Sequence, residues 1–116
     1  MGLFAGLRKM REMEKLQLPF LNSIIDFDII IEIGYAEELG KPLTLKQLSL
    51  CSIASLSTIR RKLSLLVERD IVFRRRHVTD NRTTHLLIAP PALKMLTKYS
   101  GAISSIAVSH FGKAAK

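Results

Sequence analysis

Residues 55–88 read SLSTIRRKLSLLVERDIVFRRRHVTDNRTTHLLI, and their hydrophobic period changes part-way along. Leu56, Ile59, Leu63 and Leu66 recur at steps of three and four, the spacing of one face of a helix. Ser55 stands ahead of them as an N-cap. The intervening Ser57, Thr58, Arg60, Arg61, Lys62 and Ser64 then face outward. After Asp70 the pattern turns β-like. Residues 71–77 begin a strand, Thr79-Asp80-Asn81-Arg82 are turn formers, and residues 83–88 return as a second strand. A helix reaching to about Arg69 and a basic β-hairpin are therefore predicted side by side.

The segment upstream completes a motif. Thr44 caps a short helix from Leu45 to about Cys51, with Leu45, Leu48 and Cys51 pointing inward. Ser52-Ile53-Ala54 connect it to the basic helix, which is helix-turn-helix spacing. In that motif the second helix enters the major groove and its early residues meet base edges. Here those residues are Ser55, Ser57 and Thr58, small enough for close approach. Arg60, Arg61 and Lys62 follow, and arginine can donate two hydrogen bonds to guanine. Ser57, Thr58 and Arg61 are placed nearest the groove floor, with Arg60 and Lys62 toward phosphates. Arg82 at the hairpin tip suits the minor groove, where negative potential favours arginine, and Asp80 is placed to orient it. Arg74, Arg75 and Arg76 alternate across the strand, so not all three face one way. Arg75 is assigned to the DNA side. The bland alternative for each is a solvated surface charge.

Outward from this centre the chain stays helical. Residues 3–17 carry Leu3, Leu7, Met10 and Met13 or Glu14 at helical spacing, and Pro19 ends that helix. Asn22 or Ser23 caps a second helix running to about Leu39. Ile24, Phe27, Ile31 and Tyr35 are its expected inner face, widened by Ile30, Ile33 and Ala36. Gly40 and Pro42 stop it. Pro90 or Pro91 opens a last helix to about Phe111, with Leu93, Leu96, Tyr99 or Ser100, Ile103 and Ile106 along it. The fold class is thus mainly α with a small β-hairpin (α+β): a winged helix-turn-helix over residues 44–89, flanked by terminal helices in 1–21 and 90–116. One domain spans 1–116.

Composition agrees. The chain has 116 residues and a hydrophobic fraction of 47%, too apolar for a disordered chain. No run approaches the roughly 18–20 apolar residues of a membrane span, and the start does not read as a signal peptide. A single Cys excludes an internal disulfide, so a reduced cytoplasmic protein is expected. The net charge of +8 points to a polyanionic partner. It is unevenly spread. Residues 60–82 hold eight basic residues against Glu68, Asp70 and Asp80, whereas residues 26–38 hold Asp26, Asp28, Glu32, Glu37 and Glu38 and no Lys or Arg. The acidic row is expected to be a solvated face turned from DNA.

The run from Leu56 to Arg74, then Asp80-Asn81-Arg82, then Leu86-Leu87-Ile88, is similar to the DNA-binding half of MarR-type bacterial regulators. The triplet Asp80-Asn81-Arg82 matches that family's Asp, any residue, Arg in the wing. The resemblance covers roughly residues 24–96. It implies a transcription regulator that reads a near-palindromic site as a homodimer, with the wing Arg82 in the minor groove. Three features depart from the pattern. Family members usually carry Gly where Asp70 stands and Thr where Ala89 stands. They also usually continue through another C-terminal helix, so dimerisation here falls to residues 3–17 and 91–111. No catalytic constellation, cofactor motif or metal-ligand spacing is visible. His77, His85 and His110 lack the spacing of a metal site, His77 and His85 being expected to face each other across the hairpin. Cys51 lacks an activating neighbour for redox sensing, and Met10, Met13 and Met95 read as packing. Two functions stand as alternatives: a sequence-specific duplex-DNA regulator, with an effector ligand unspecified, and a winged-helix protein-interaction module.

Overall fold

Three polar caps start the helices of the central segment. The computed structural model describes residues 2–76, 79 and 83–112. Helix α1 spans Leu3–Gln17, α2 Ile24–Glu38, α3 Leu45–Ser49, α4 Leu56–Glu68 and α5 Pro90–Phe111, with strands β1 Val72–Arg76 and β2 Thr84–Ile88 between α4 and α5. Ser23, Thr44 and Ser55 are the N-caps of α2, α3 and α4, each accepting from the N–H three residues on. At α2 and α3 the bond is reciprocal. Asp26 and Gln47 reach back to the N–H of Ser23 and Thr44, closing capping boxes.

Helices α2 and α4 end alike. Gly40 and Asp70 both adopt left-handed backbone, at φ 75 and φ 58. After each, a six-residue and a four-residue backbone bond close the turn: Lys41 N–H to Ala36 and Gly40 N–H to Glu37, then Ile71 N–H to Leu66 and Asp70 N–H to Val67. This is the Schellman arrangement. Glycine takes that conformation without strain, and aspartate tolerates it better than most residues do. The departure at Asp70 is thus accommodated by the backbone. Asp70→Val is expected to destabilise by about 1–2 kcal/mol, whereas Asp70→Gly keeps or slightly raises stability. Thermal melting of both variants checks this, and equal melting would remove the argument.

Two compact units divide the chain: Met1–Pro19 with Leu93–Lys116, and Phe20–Ala92. In the second, Ile29, Ile30 and Ile33 of α2, Leu48 of α3, and Ile59, Leu63 and Leu66 of α4 are buried together with Val72, Leu86, Leu87 and Ile88 of the hairpin. Full burial of such side chains contributes about 1.5–3 kcal/mol each. The strands pair antiparallel from Val72↔Ile88 to Arg76↔Thr84. The outer edge of β2 is covered. The Leu86 N–H donates to the Leu43 carbonyl at 2.8 Å, and the Ile88 N–H to the Glu37 carboxylate at 3.0 Å. An edge so occupied cannot template further strands.

In the first unit, Gly6 lies against the end of α5. A Cβ there would stand 2.7 Å from His110 Cβ and 2.6 Å from Phe111 Cζ, so only glycine fits without displacement. Arg8, Lys9 and Arg11 pair with Glu12 and Glu14 on the surface of α1. Leu3, Phe4, Leu7, Leu16 and Val108 are exposed.

Several expectations about facing are corrected. Helix α2 buries Asp26, Ile29, Ile30, Ile33 and Ala36, while Ile24, Ile31 and Tyr35 of the expected inner face are exposed. Its apolar residues encircle the helix, so periodicity does not select a side. The acidic row is not uniformly solvated either, since Asp26 is buried. Helix α3 stops at Ser49, and residues 50–55 connect it to α4, with Ser52 at φ 60. That early stop leaves Cys51 exposed instead of inward. Leu56 is exposed because it begins α4 before the helix reaches its buried face. In α5, Leu93 and Met95 are exposed and Ile106 is buried.

Candidate nucleic-acid interface

Helix α4 carries two opposed surfaces. Ile59, Leu63 and Leu66 hold one against the core. The other presents Ser57, Arg60, Arg61, Ser64 and Leu65 to solvent. Arg60 and Arg61 have no ion-pair partner among the described residues, so their guanidinium groups remain available. The N-terminal end of the helix adds partial positive charge, which favours an anion such as phosphate.

The hydroxyls that open α4 form a local cluster. Ser55 Oγ accepts from the Thr58 N–H at 3.3 Å and donates to Thr58 Oγ1 at 3.0 Å. It also lies 3.3 Å from Ser57 Oγ. Ser55 and Thr58 are thereby engaged in capping, and Thr58 is half-buried. Ser57 is the exposed member that leads into the arginine ridge.

Strand β1 supplies the second cationic element. Arg74, Arg75 and Arg76 are all exposed, although they alternate between the two faces of the hairpin. Val72 alone on that strand is buried, whereas β2, whose other edge is bonded to Leu43 and Glu37, buries Leu86, Leu87 and Ile88. Arg75 pairs in register with His85, and Arg74 with Leu86. The wing-tip residues Asp80 and Arg82, and His77 of the expected histidine pair, lie outside the described residues.

Lys62 departs from its expected role. Its side chain is 14% exposed and its ammonium lies 3.3 Å from Asp26 Oδ1. It also donates to Ser23 Oγ at 3.0 Å. The other oxygen of Asp26 accepts from the N–H groups of Asn22 and Ser23 at 2.9 and 3.1 Å. Lys62 is therefore turned inward, away from the Arg60–Arg61 ridge. The signal was present in the sequence: Lys62 follows Ile59 by three and precedes Leu66 by four, inside the apolar stripe. Ser23 and Asp26 have capping-box spacing, which marks a polar contact at the same place.

Cys51 is exposed, its sulfur 3.5 Å from the Gln47 carbonyl. Partial desolvation, and then the Glu32 carboxylate, push its thiol above the ordinary range. A thiol held protonated is a slow nucleophile, which disfavours redox sensing. Among the described residues, no group of three or more His, Cys, Asp or Glu is arranged to hold a metal ion. No described helix is long and apolar enough to cross a membrane.

This fold recurs in solved structures. An S. aureus MepR variant bound to an oligodeoxyribonucleotide superposes with a TM-score of 0.63 at 14% identity, covering 92% of this chain and 80% of that one. An E. coli MarR variant complexed with operator DNA gives 0.60 at 15%, covering 89% and 71%. AbsC, a MarR family transcriptional regulator from Streptomyces coelicolor, gives 0.61 at 18%, covering 96% and 74%. The fold is that of the MarR-type regulators. No protein-family model and no curated protein sequence matches the chain. A shared fold at such low identity is possible because packing tolerates exchange of apolar residues that keep pattern and volume.

Proposed function

We propose that the chain is a sequence-specific, duplex-DNA-binding transcription regulator acting as a homodimer. Helix α4 lies in the major groove and the wing in the minor groove. The observation that carries this reading is the exposed Ser57–Arg60–Arg61 ridge on a helix-turn-helix, with the exposed arginines of β1 in the same compact unit. Ser55, Ser57, Thr58, Arg60, Arg61, Arg75 and Arg82 form the DNA-binding set, Asp80 orients Arg82, and Lys62 is removed from it. Arg61 reads base edges, whereas Arg60 meets phosphates. The DNA held by the MepR and MarR neighbours supports the same use of the fold. Exposed Leu3, Phe4, Leu7 and Leu16 on α1 and Val108 on α5 support a second copy as the partner of the terminal helices.

Selection of bound sequences from a random duplex pool tests the proposal. A two-fold-symmetric consensus, with half-sites about one helical turn apart, is the expected result. A chain that enriches no sequence and loses all duplex binding at physiological salt is instead an interaction module. The exposed Ile24, Ile31 and Tyr35 of α2 are then its first docking surface to examine.

A further inference from the structure

We infer that Lys62 and Asp26 are positioning residues, an internal strut that sets the rotation of helix α4 and through it the aim of Arg60 and Arg61. This rests on the DNA-binding reading above. The pair is the most deeply placed ion pair of the described residues: the Asp26 side chain is 6% exposed and that of Lys62 14%, against exposed cations in the ion pairs of α1. It ties the start of α2 to the middle of α4 across 36 residues of chain. Ser23, the N-cap of α2, receives the same ammonium, so one cation grips both halves of a capping box.

The geometry makes this contact directional. Successive residues of a helix are about 100° apart. Arg60 and Ser64 therefore project roughly opposite to Lys62, and Arg61 lies to one side. Apolar packing by Ile59, Leu63 and Leu66 holds α4 on the core but tolerates small rolls. A charge-assisted bond does not, since a buried charge that loses its partner is strongly penalised. The strut thus fixes the outward ridge from the inward side.

The sign of one substitution separates this role from ordinary electrostatics. Asp26→Asn removes a negative charge, which by itself strengthens binding to DNA. The strut requires the opposite, weaker binding. Lys62→Met supplies a second test, because it retains the Asn22 and Ser23 N–H bonds to Asp26 and so leaves the cap of α2 in place. Both variants and the double variant are titrated, at several salt concentrations, against the duplex that the wild type enriches and against a random-sequence duplex. Melting curves establish which are folded.

Expected for Lys62→Met is an affinity about tenfold lower for the enriched duplex, with random-duplex binding within twofold of wild type. The slope of log affinity against log salt stays unchanged. A lost phosphate contact would instead reduce that slope by about 0.9 and weaken both duplexes alike, and that result overturns the inference. Asp26→Asn, where folded, is expected to weaken enriched-duplex binding similarly, and the double variant no further. Binding by Asp26→Asn as tight as wild type, or tighter, overturns the strut and leaves the DNA-binding reading standing. A wild-type chain that enriches no duplex overturns both.

Discussion

Replacing Arg60 and Arg61 together by alanine is expected to lower duplex affinity about a hundredfold. Each arginine that meets a base edge or phosphate is worth about tenfold or more, since a good bidentate pair discriminates by about 1–3 kcal/mol. Both side chains are exposed and neither has an ion-pair partner among the described residues. Their loss leaves no internal group unsatisfied, so stability should stay within about 0.5 kcal/mol. The single variants separate the two roles. Arg60→Ala weakens enriched and random duplexes alike and flattens the salt dependence by about 0.9 in slope. Arg61→Ala relaxes the preference at one base position. Fluorescence anisotropy on the two duplexes measures all of these. An affinity for the double variant within twofold of wild type would sink the proposed contacts.

Leu63→Ala should have the largest effect on stability. Leu63 is 1% exposed and sits between Ile59 and Leu66 on the buried face of α4. Removing its branched end loses transfer free energy and leaves a cavity, together about 2–5 kcal/mol. For a unit of this size each kcal/mol moves the melting temperature by about 4–8 °C, so a fall of roughly 8–40 °C is expected. That loss is a large share of the roughly 5–15 kcal/mol that holds a domain folded. Leu65→Ala, on the exposed side of the same helix, is the control and should melt close to wild type. DNA affinity of Leu63→Ala should fall only as the folded population falls, with an unchanged salt slope. A melting shift under about 4 °C would show that Leu63 is not part of a close-packed core.

The boundaries of the central helices were legible because caps act locally. Ser23, Thr44 and Ser55 each bond a backbone N–H three residues away, and nothing distant is needed to recognise them. The change from helical to β period after Asp70 was legible for the same reason. Helix α3 ends two residues before the point its sequence pattern indicates, because its end is made by backbone turns at Leu50 and Cys51 and a left-handed Ser52, none of which is signalled by residue type. The outward placement of Ser57, Arg60 and Arg61 on α4 agrees with the helical period of the sequence. Lys62 turns inward where the pattern indicates an outward charge, because its long stem lets a charge on the edge of the apolar stripe turn either way.

What the sequence by itself determined is the order of elements, the basic helix and the basic hairpin, since each depends on periodicity and turn chemistry within a few residues. What only the tertiary structure decided is which way groups face when local rules leave two choices. Helix α2 carries apolar residues on every side among its acidic ones, and its inner face is selected by packing on Leu48, the hairpin and α4, not by its own pattern. Lys62 became a strut when folding brought Asp26 within 3.3 Å. Glu37 became an edge cover when β2 came within reach of its carboxylate. Contacts between residues far apart in the chain carry no local signature. They exist only once the apolar faces have met and water has left the charges between them.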